Sequence, residues 1–183
     1  SLDVHNEFVS LEEAKIFMSS IKLNSIEDFW KWCKNGERPK NIPSNPHRTY
    51  RQSGWKNYAD FLGYDPKISF GERVITHWLE QKEICHQYQQ KIPGCRLKNH
   101  LRFDFGIYDD YGLIAVLEYN GRQHDKPVKY FGGNEEYKYQ QKRDNLKRDF
   151  CNQNMIPMFT IKCGTTQQIE YDLEQIKLAL FLY

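Results

Sequence analysis

Cys-x-x-Cys pairs are absent from this chain, and its 5 cysteines (Cys33, Cys85, Cys95, Cys151 and Cys163) form an odd set. Both facts speak against a disulfide framework or a structural zinc site. Free thiols in a reducing intracellular compartment are expected, whether cytoplasmic, nuclear or viral, and not a secreted protein. Apolar runs are short: none approaches the roughly 20 residues that cross a bilayer as a helix, and no signal peptide is visible. A membrane is therefore not an expected partner. Charge of one sign is also scarce. Lys and Arg number 26 against 24 Asp and Glu, a formal net charge of +2. No global basic field draws nucleic acid, so any such contact must come from local clusters. Low-complexity tracts are missing too.

What the chain has in quantity is aromatic side chains, 15% of 183 residues, with 12 Tyr and 11 Phe. The length suggests one or two small domains. "SLEEAKIFMSSIKL" opens with a capping box. Ser10 caps the helix, Glu13 reaches back to the Ser10 amide, and Ala14, Phe17 and Ile21 follow at helical spacing. "SIEDFWKWCKNG" repeats the logic, with Ser25 as cap, Phe29, Trp30 and Cys33 as apolar positions, and Gly36 as the stop. "RPKNIPSNPHRTY" reads as extended connector because of its prolines, and "GWKNYADFLGY" as a third short helix ending at Gly63. Residues 1–66 are thus expected to form a small all-helical unit with tryptophans in its core.

Residues 67–183 follow a different pattern. "SFGERVITHWLEQKEI" predicts a helix burying Val74, Ile75, Trp78 and Leu79, and "HQYQQ" is a weak strand. "LRFDFGIYD" alternates as a strand, and a turn at Asp109 to Gly112 joins it to a second strand, "YGLIAVLEY". A long charged helix, the strand "IPMFTIK" and an amphipathic helix with Ile169, Leu173, Ile176 and Leu180 inward complete the order. The class this predicts is α/β or α+β, a central mixed sheet flanked by helices and preceded by the helical unit.

Two carboxylates stand where strands bury apolar groups. Asp104 lies between two phenylalanines, and Glu118 ends the run "LIAVL" on the next strand. A charge there is expensive unless paired or bound to metal. Two converging carboxylates repel unless a cation sits between them, and hard oxygen ligands suit Mg²⁺ or Mn²⁺. "NGRQH" follows, where Gly121 permits a bend and Gln123 and His124 project toward the same place. A neutral His can take a proton from water near pH 7. On the long helix Gln140, Asp144 and Lys147 share a face, beside Arg143, in position to orient a phosphate. Glu72 also fits an S-x-x-E capping box begun by Ser69, and charged pairs three or four apart on a helix are common surface features.

Two resemblances carry the reading further. Ala14 and Phe17, Phe29-Trp30, "PKNIPSNPHRTY" and "GWKNYADFLG" resemble a short repeat found in some phage-type integrases and viral proteins. That likeness implies DNA contact through a basic edge that includes Lys40, Arg48 and Arg51. The ordered set "GERVITHWL … RFDFGIY … LIAVLEYNGRQH … QQKRDNLKRDFC … IPMFTIK" resembles the PD-(D/E)XK nuclease superfamily. Within it, the set looks like the very-short-patch-repair-type endonucleases and related phage homing endonucleases. The resemblance implies a restriction-endonuclease-like core that cuts or nicks double-stranded DNA with Mg²⁺ or Mn²⁺, as monomer or homodimer, in repair, homing, restriction or viral genome processing.

By position it implies Asp104 and Glu118 as metal ligands with the Tyr119 carbonyl, His124 as base or water-positioning group, Glu72 as accessory acid, and Asp144 as the partner that orients His124. Arg102, Arg122 and Arg143 would meet DNA. Aromatics of the loop "KYFGGNEEYKY", among them Tyr130, Phe131, Tyr137 and Tyr139, would wedge between base pairs or pack within the loop. The departure is Asn120, where the family's motif has Lys; Lys147 is the candidate replacement. Two rivals follow from it. One is a catalytically inactive nuclease fold acting as a DNA-binding or scaffold module. The other is an interaction protein whose two carboxylates form buried ion pairs with Arg102 or Lys147.

Overall fold

The computed structural model describes residues 8–121 and 133–180. Within them lie α1 (Leu11–Ile21), α2 (Ile26–Lys34), α3 (Pro46–Thr49), α4 (Tyr58–Leu62), α5 (Phe70–Gln81), β1 (His86–Arg96), β2 (His100–Asp109), β3 (Gly112–Asn120), α6 (Gly133–Gln153), β4 (Met158–Lys162) and α7 (Thr166–Ala179). The chain divides into two compact units, Ser1–Phe70 and Gly71–Tyr183. The class is mixed α/β, as the periodicities predict.

In the first unit the caps form as expected. The Ser10 hydroxyl accepts the Glu13 N–H at 3.3 Å, and the Glu13 carboxylate accepts the Ser10 N–H at 3.0 Å. Ser25 caps α2, and Gly63 ends α4 at φ +79, a left-handed conformation that glycine adopts without strain. Phe29 is the hub of the core. The rings of Trp32, Tyr58 and Phe61 each lie 6.0 Å from it, centroid to centroid. Two expectations fail here. Trp30 is 56% exposed. Phe29 and Trp32 are the α2 residues that turn inward, three apart on one helical face. The proline-rich segment is not wholly extended either: the Asn45 side chain accepts the Arg48 N–H, and Pro46 starts the one-turn α3.

In the second unit the sheet order is β1-β2-β3-β4, antiparallel twice and then parallel. β1 is longer than "HQYQQ" and carries Pro93, which is tolerated because β1 is an edge strand with a register shift between Lys91 and Arg96. The β2–β3 turn is closed by Asp109, whose carboxylate accepts the N–H groups of Tyr111 and Gly112. One face of the sheet packs on α5 and α7, where Ile107 and Leu117 meet Trp78, Leu79, Leu173 and Ile176. The other packs on α6, where Phe103 and Val116 meet Leu146, Phe150 and Cys151.

Simple alternation along β2 therefore does not hold. Phe103 faces α6, whereas Phe105 packs against the Tyr88 and His86 rings and is not part of that cluster. Tyr88 pairs with Phe105 and Gln90 with Phe103, which leaves Gln89 opposite Asp104. Gln89 has φ +54. The change of layer along β2, between Phe103 and Phe105, thus falls at Asp104, opposite a left-handed residue of β1.

α5 is seated on β3 through Gly71. This residue is buried in the first turn of α5, and an added Cβ would stand 2.1 Å from the Tyr119 ring. Gly71→Ala is expected to destabilise the protein by about 1–3 kcal/mol through overpacking. Urea unfolding checks this, and an unchanged midpoint would mean that α5 does not press on Tyr119.

Candidate metal centre

Pairing of β2 with β3 runs Ile107 to Ala115, Gly106 to Val116 and Phe105 to Leu117. The same register carried one step further sets Asp104 opposite Glu118, where the strands begin to part. Asp104 completes the ladder with its side chain: Oδ2 accepts the Tyr119 N–H at 2.7 Å. On the other edge of β3, the Val116 N–H reaches the Pro157 carbonyl, and the Asn120 carbonyl accepts the Cys163 N–H. Residues 116, 118 and 120 thus bond to β4, and alternation turns the peptide groups of Tyr119 toward β2. The Tyr119 carbonyl therefore lies on the Asp104 side of β3, as a third oxygen ligand requires.

Glu118 follows Val116 on the α6 face. Its Oε1 accepts Lys147 Nζ at 2.7 Å, with the two side chains 12% and 7% exposed. The ammonium also lies 5.3 Å from the centre of the Phe103 ring. Such a contact with a ring face favours a desolvated cation. Burial pushes the Glu118 carboxyl up to about 7 against the pull of Lys147, with Asp104 and Asp144 adding to the rise. Asp104, Glu118, Lys147 and Asp144 therefore share one electrostatic neighbourhood.

Glu72 is reached from another direction. In the first turn of α5, its Oε1 accepts the Tyr88 hydroxyl at 3.0 Å. Burial, then Glu72, and to a smaller extent Asp104, push that phenol up to about 12. Tyr88 is thus the residue that links Glu72 to the Asp104 end of the sheet. Sequence reasoning missed this contact because "HQYQQ" gives an aromatic on a weak strand and no hint of which way it faces.

Arg102 is exposed on β2 and makes no ion pair with either carboxylate among those described, while Arg143 is half-buried on α6. Lys40, Arg48 and Arg51 are exposed on the first unit. Arg122, Gln123 and His124, with Tyr130 and Phe131, lie outside the described residues. The expectation that Asp144 orients His124 falls there too; what the structure gives Asp144 is proximity to Glu118.

Among the described residues, no group of three or more His, Cys, Asp or Glu side chains is gathered to hold a metal. The donors that are present still suit Mg²⁺. That ion keeps several waters and takes one or two carboxylates rather than a full protein cage. The Lys147 bond occupies Oε1, and a carboxylate offers about four acceptor sites, so the lysine and a cation are compatible on Glu118. Among the described residues, no helix is long and apolar enough to cross a membrane. Comparison with family models, with curated proteins and with solved structures finds no match to this chain.

Proposed function

We propose that the chain is a divalent-metal-dependent DNA endonuclease, hydrolysing phosphodiester bonds at the parting of β2 and β3. The observation that carries this reading is Asp104 accepting the N–H of Tyr119, next to Glu118, at the end of the β2–β3 ladder, with Lys147 from α6 bonded to Glu118. Mg²⁺ or Mn²⁺ bound there would act as a Lewis acid and lower the pKa of its water. Asp104 and Glu118 would hold the ion with the Tyr119 carbonyl. Lys147 fixes the Glu118 carboxylate and offsets one of the two negative charges, which limits repulsion of an approaching phosphate. His124 follows β3 closely in the chain and is the proposed acceptor of the water proton. Arg102 and Arg143, with Lys40, Arg48 and Arg51 on the first unit, supply cations of the kind that contact phosphate.

A second reading is favoured by the same ion pair. Lys147 neutralises Glu118 without any metal, as expected of an interaction protein or of an inactive nuclease fold that binds DNA or scaffolds a partner. Supercoiled plasmid decides between them. The endonuclease reading expects conversion to nicked or linear DNA with Mg²⁺ or Mn²⁺ and none with EDTA. Retained DNA binding without conversion under any metal supports the second reading.

A further inference from the structure

Three elements meet near Asp104, and Tyr88 is where they join. Its hydroxyl donates to Glu72 on α5 at 3.0 Å. Its ring lies 5.5 Å from that of Phe105, the residue next to Asp104, and it pairs with Phe105 across the β1–β2 ladder. α5 itself is seated by Gly71 against the Tyr119 ring on β3. A glutamate has three rotatable side-chain bonds, and a hydrogen bond from a phenol whose ring packs on Phe105 restricts where this carboxylate can lie.

We infer that Tyr88 is a positioning residue, which holds the Glu72 carboxylate at the Asp104 end of the sheet as an outer hydrogen-bond acceptor for water carried by the cation. This rests on the metal-dependent reading above and goes beyond it, because it assigns Glu72 a role exerted through water and makes that role depend on an edge-strand tyrosine. Groups that orient metal-bound water from outside the ligand set typically contribute about 10- to 100-fold in affinity or activity. Tyr88 is 37% exposed and is not a core residue.

The test is Mn²⁺ binding by calorimetry, with thermal melts of the metal-free protein alongside. It compares the native chain, Tyr88→Phe, Glu72→Gln, the double variant and Asp104→Ala. Phenylalanine keeps the ring on Phe105, so the metal-free melting temperature of Tyr88→Phe should stay within a few degrees of native. Its Mn²⁺ affinity should fall about tenfold. The double variant should bind no more weakly than Glu72→Gln alone, because the tyrosine acts through the glutamate. Native affinity in Tyr88→Phe overturns the inference, as does a double variant in which the two losses multiply. A lowered melting temperature with unchanged affinity marks a structural role only and also overturns it. Failure of the inference alone is recognised by tight binding in the native chain that Asp104→Ala abolishes. Absence of Mn²⁺ binding in the native chain removes the metal-dependent reading and this one together.

Discussion

Lys147→Met is expected to destabilise the second unit by about 3–5 kcal/mol above pH 7, because it leaves Glu118 buried without its counter-charge. The pH dependence follows from the direction of the Glu118 shift. Its carboxyl is raised to about 7 in the folded chain from an ordinary 4.5. Below about 4.5 it is protonated in both states and imposes no ionisation cost. As pH rises from there to about 7 the unfolded chain gives up its proton first, so stability falls; above 7 the cost is constant, roughly 3 kcal/mol. Lys147→Met raises the folded value further and deepens the loss at high pH. Urea midpoints at pH 5 and pH 8 check this: the gap between variant and native chain should widen at pH 8. Glu118→Gln combined with Lys147→Met should recover much of it, since no buried charge then lacks a partner. An equal gap at both pH values would mean that Glu118 is not held in an apolar setting.

Asp104 gives the second large effect, and two replacements separate its two roles. Alanine removes both the charge and the acceptor for the Tyr119 N–H, so it should lose metal-dependent cleavage and about 1–2 kcal/mol of stability. Asparagine keeps an oxygen that accepts the same N–H. It should melt close to the native chain while cleavage falls on the order of 10³-fold or more, the scale on which loss of one charge-stabilising group is felt in catalysis. Plasmid assays beside thermal melts measure both. Asn activity near native would show that the carboxylate serves the ladder alone.

Much of the second unit could be read from the sequence, because its signals are local. The runs around Ile107, Val116 and Ile161, the Asp109–Gly112 turn and the buried side of α5 all follow from pattern and turn chemistry. The rest depends on contacts distant in the chain. β1 beyond residue 90 was hidden by Pro93 and Gly94, which local rules place in loops and which an edge strand accommodates. Trp30 and Trp32 are indistinguishable by composition, and only the α2 packing face decides between them. The change of layer at Asp104 lies opposite a left-handed Gln89 on another strand, a pairing that local sequence does not reveal. Asp104 and Glu118 themselves stood out because a carboxylate in an apolar run is costly wherever it occurs. That Lys147 would be the cation on Glu118 needed the seating of α6 on the sheet, which spacing along a helix leaves open between Lys147 and its neighbours.

The same pair of carboxylates decides the whole account. Electron paramagnetic resonance of Mn²⁺ added to the native chain and to Asp104→Asn reads their occupancy directly. One site per native chain is expected, with affinity rising toward pH 7 as the Glu118 proton is displaced, and its loss in Asp104→Asn at unchanged melting temperature. Equal Mn²⁺ binding by both proteins, or binding by neither, contradicts it.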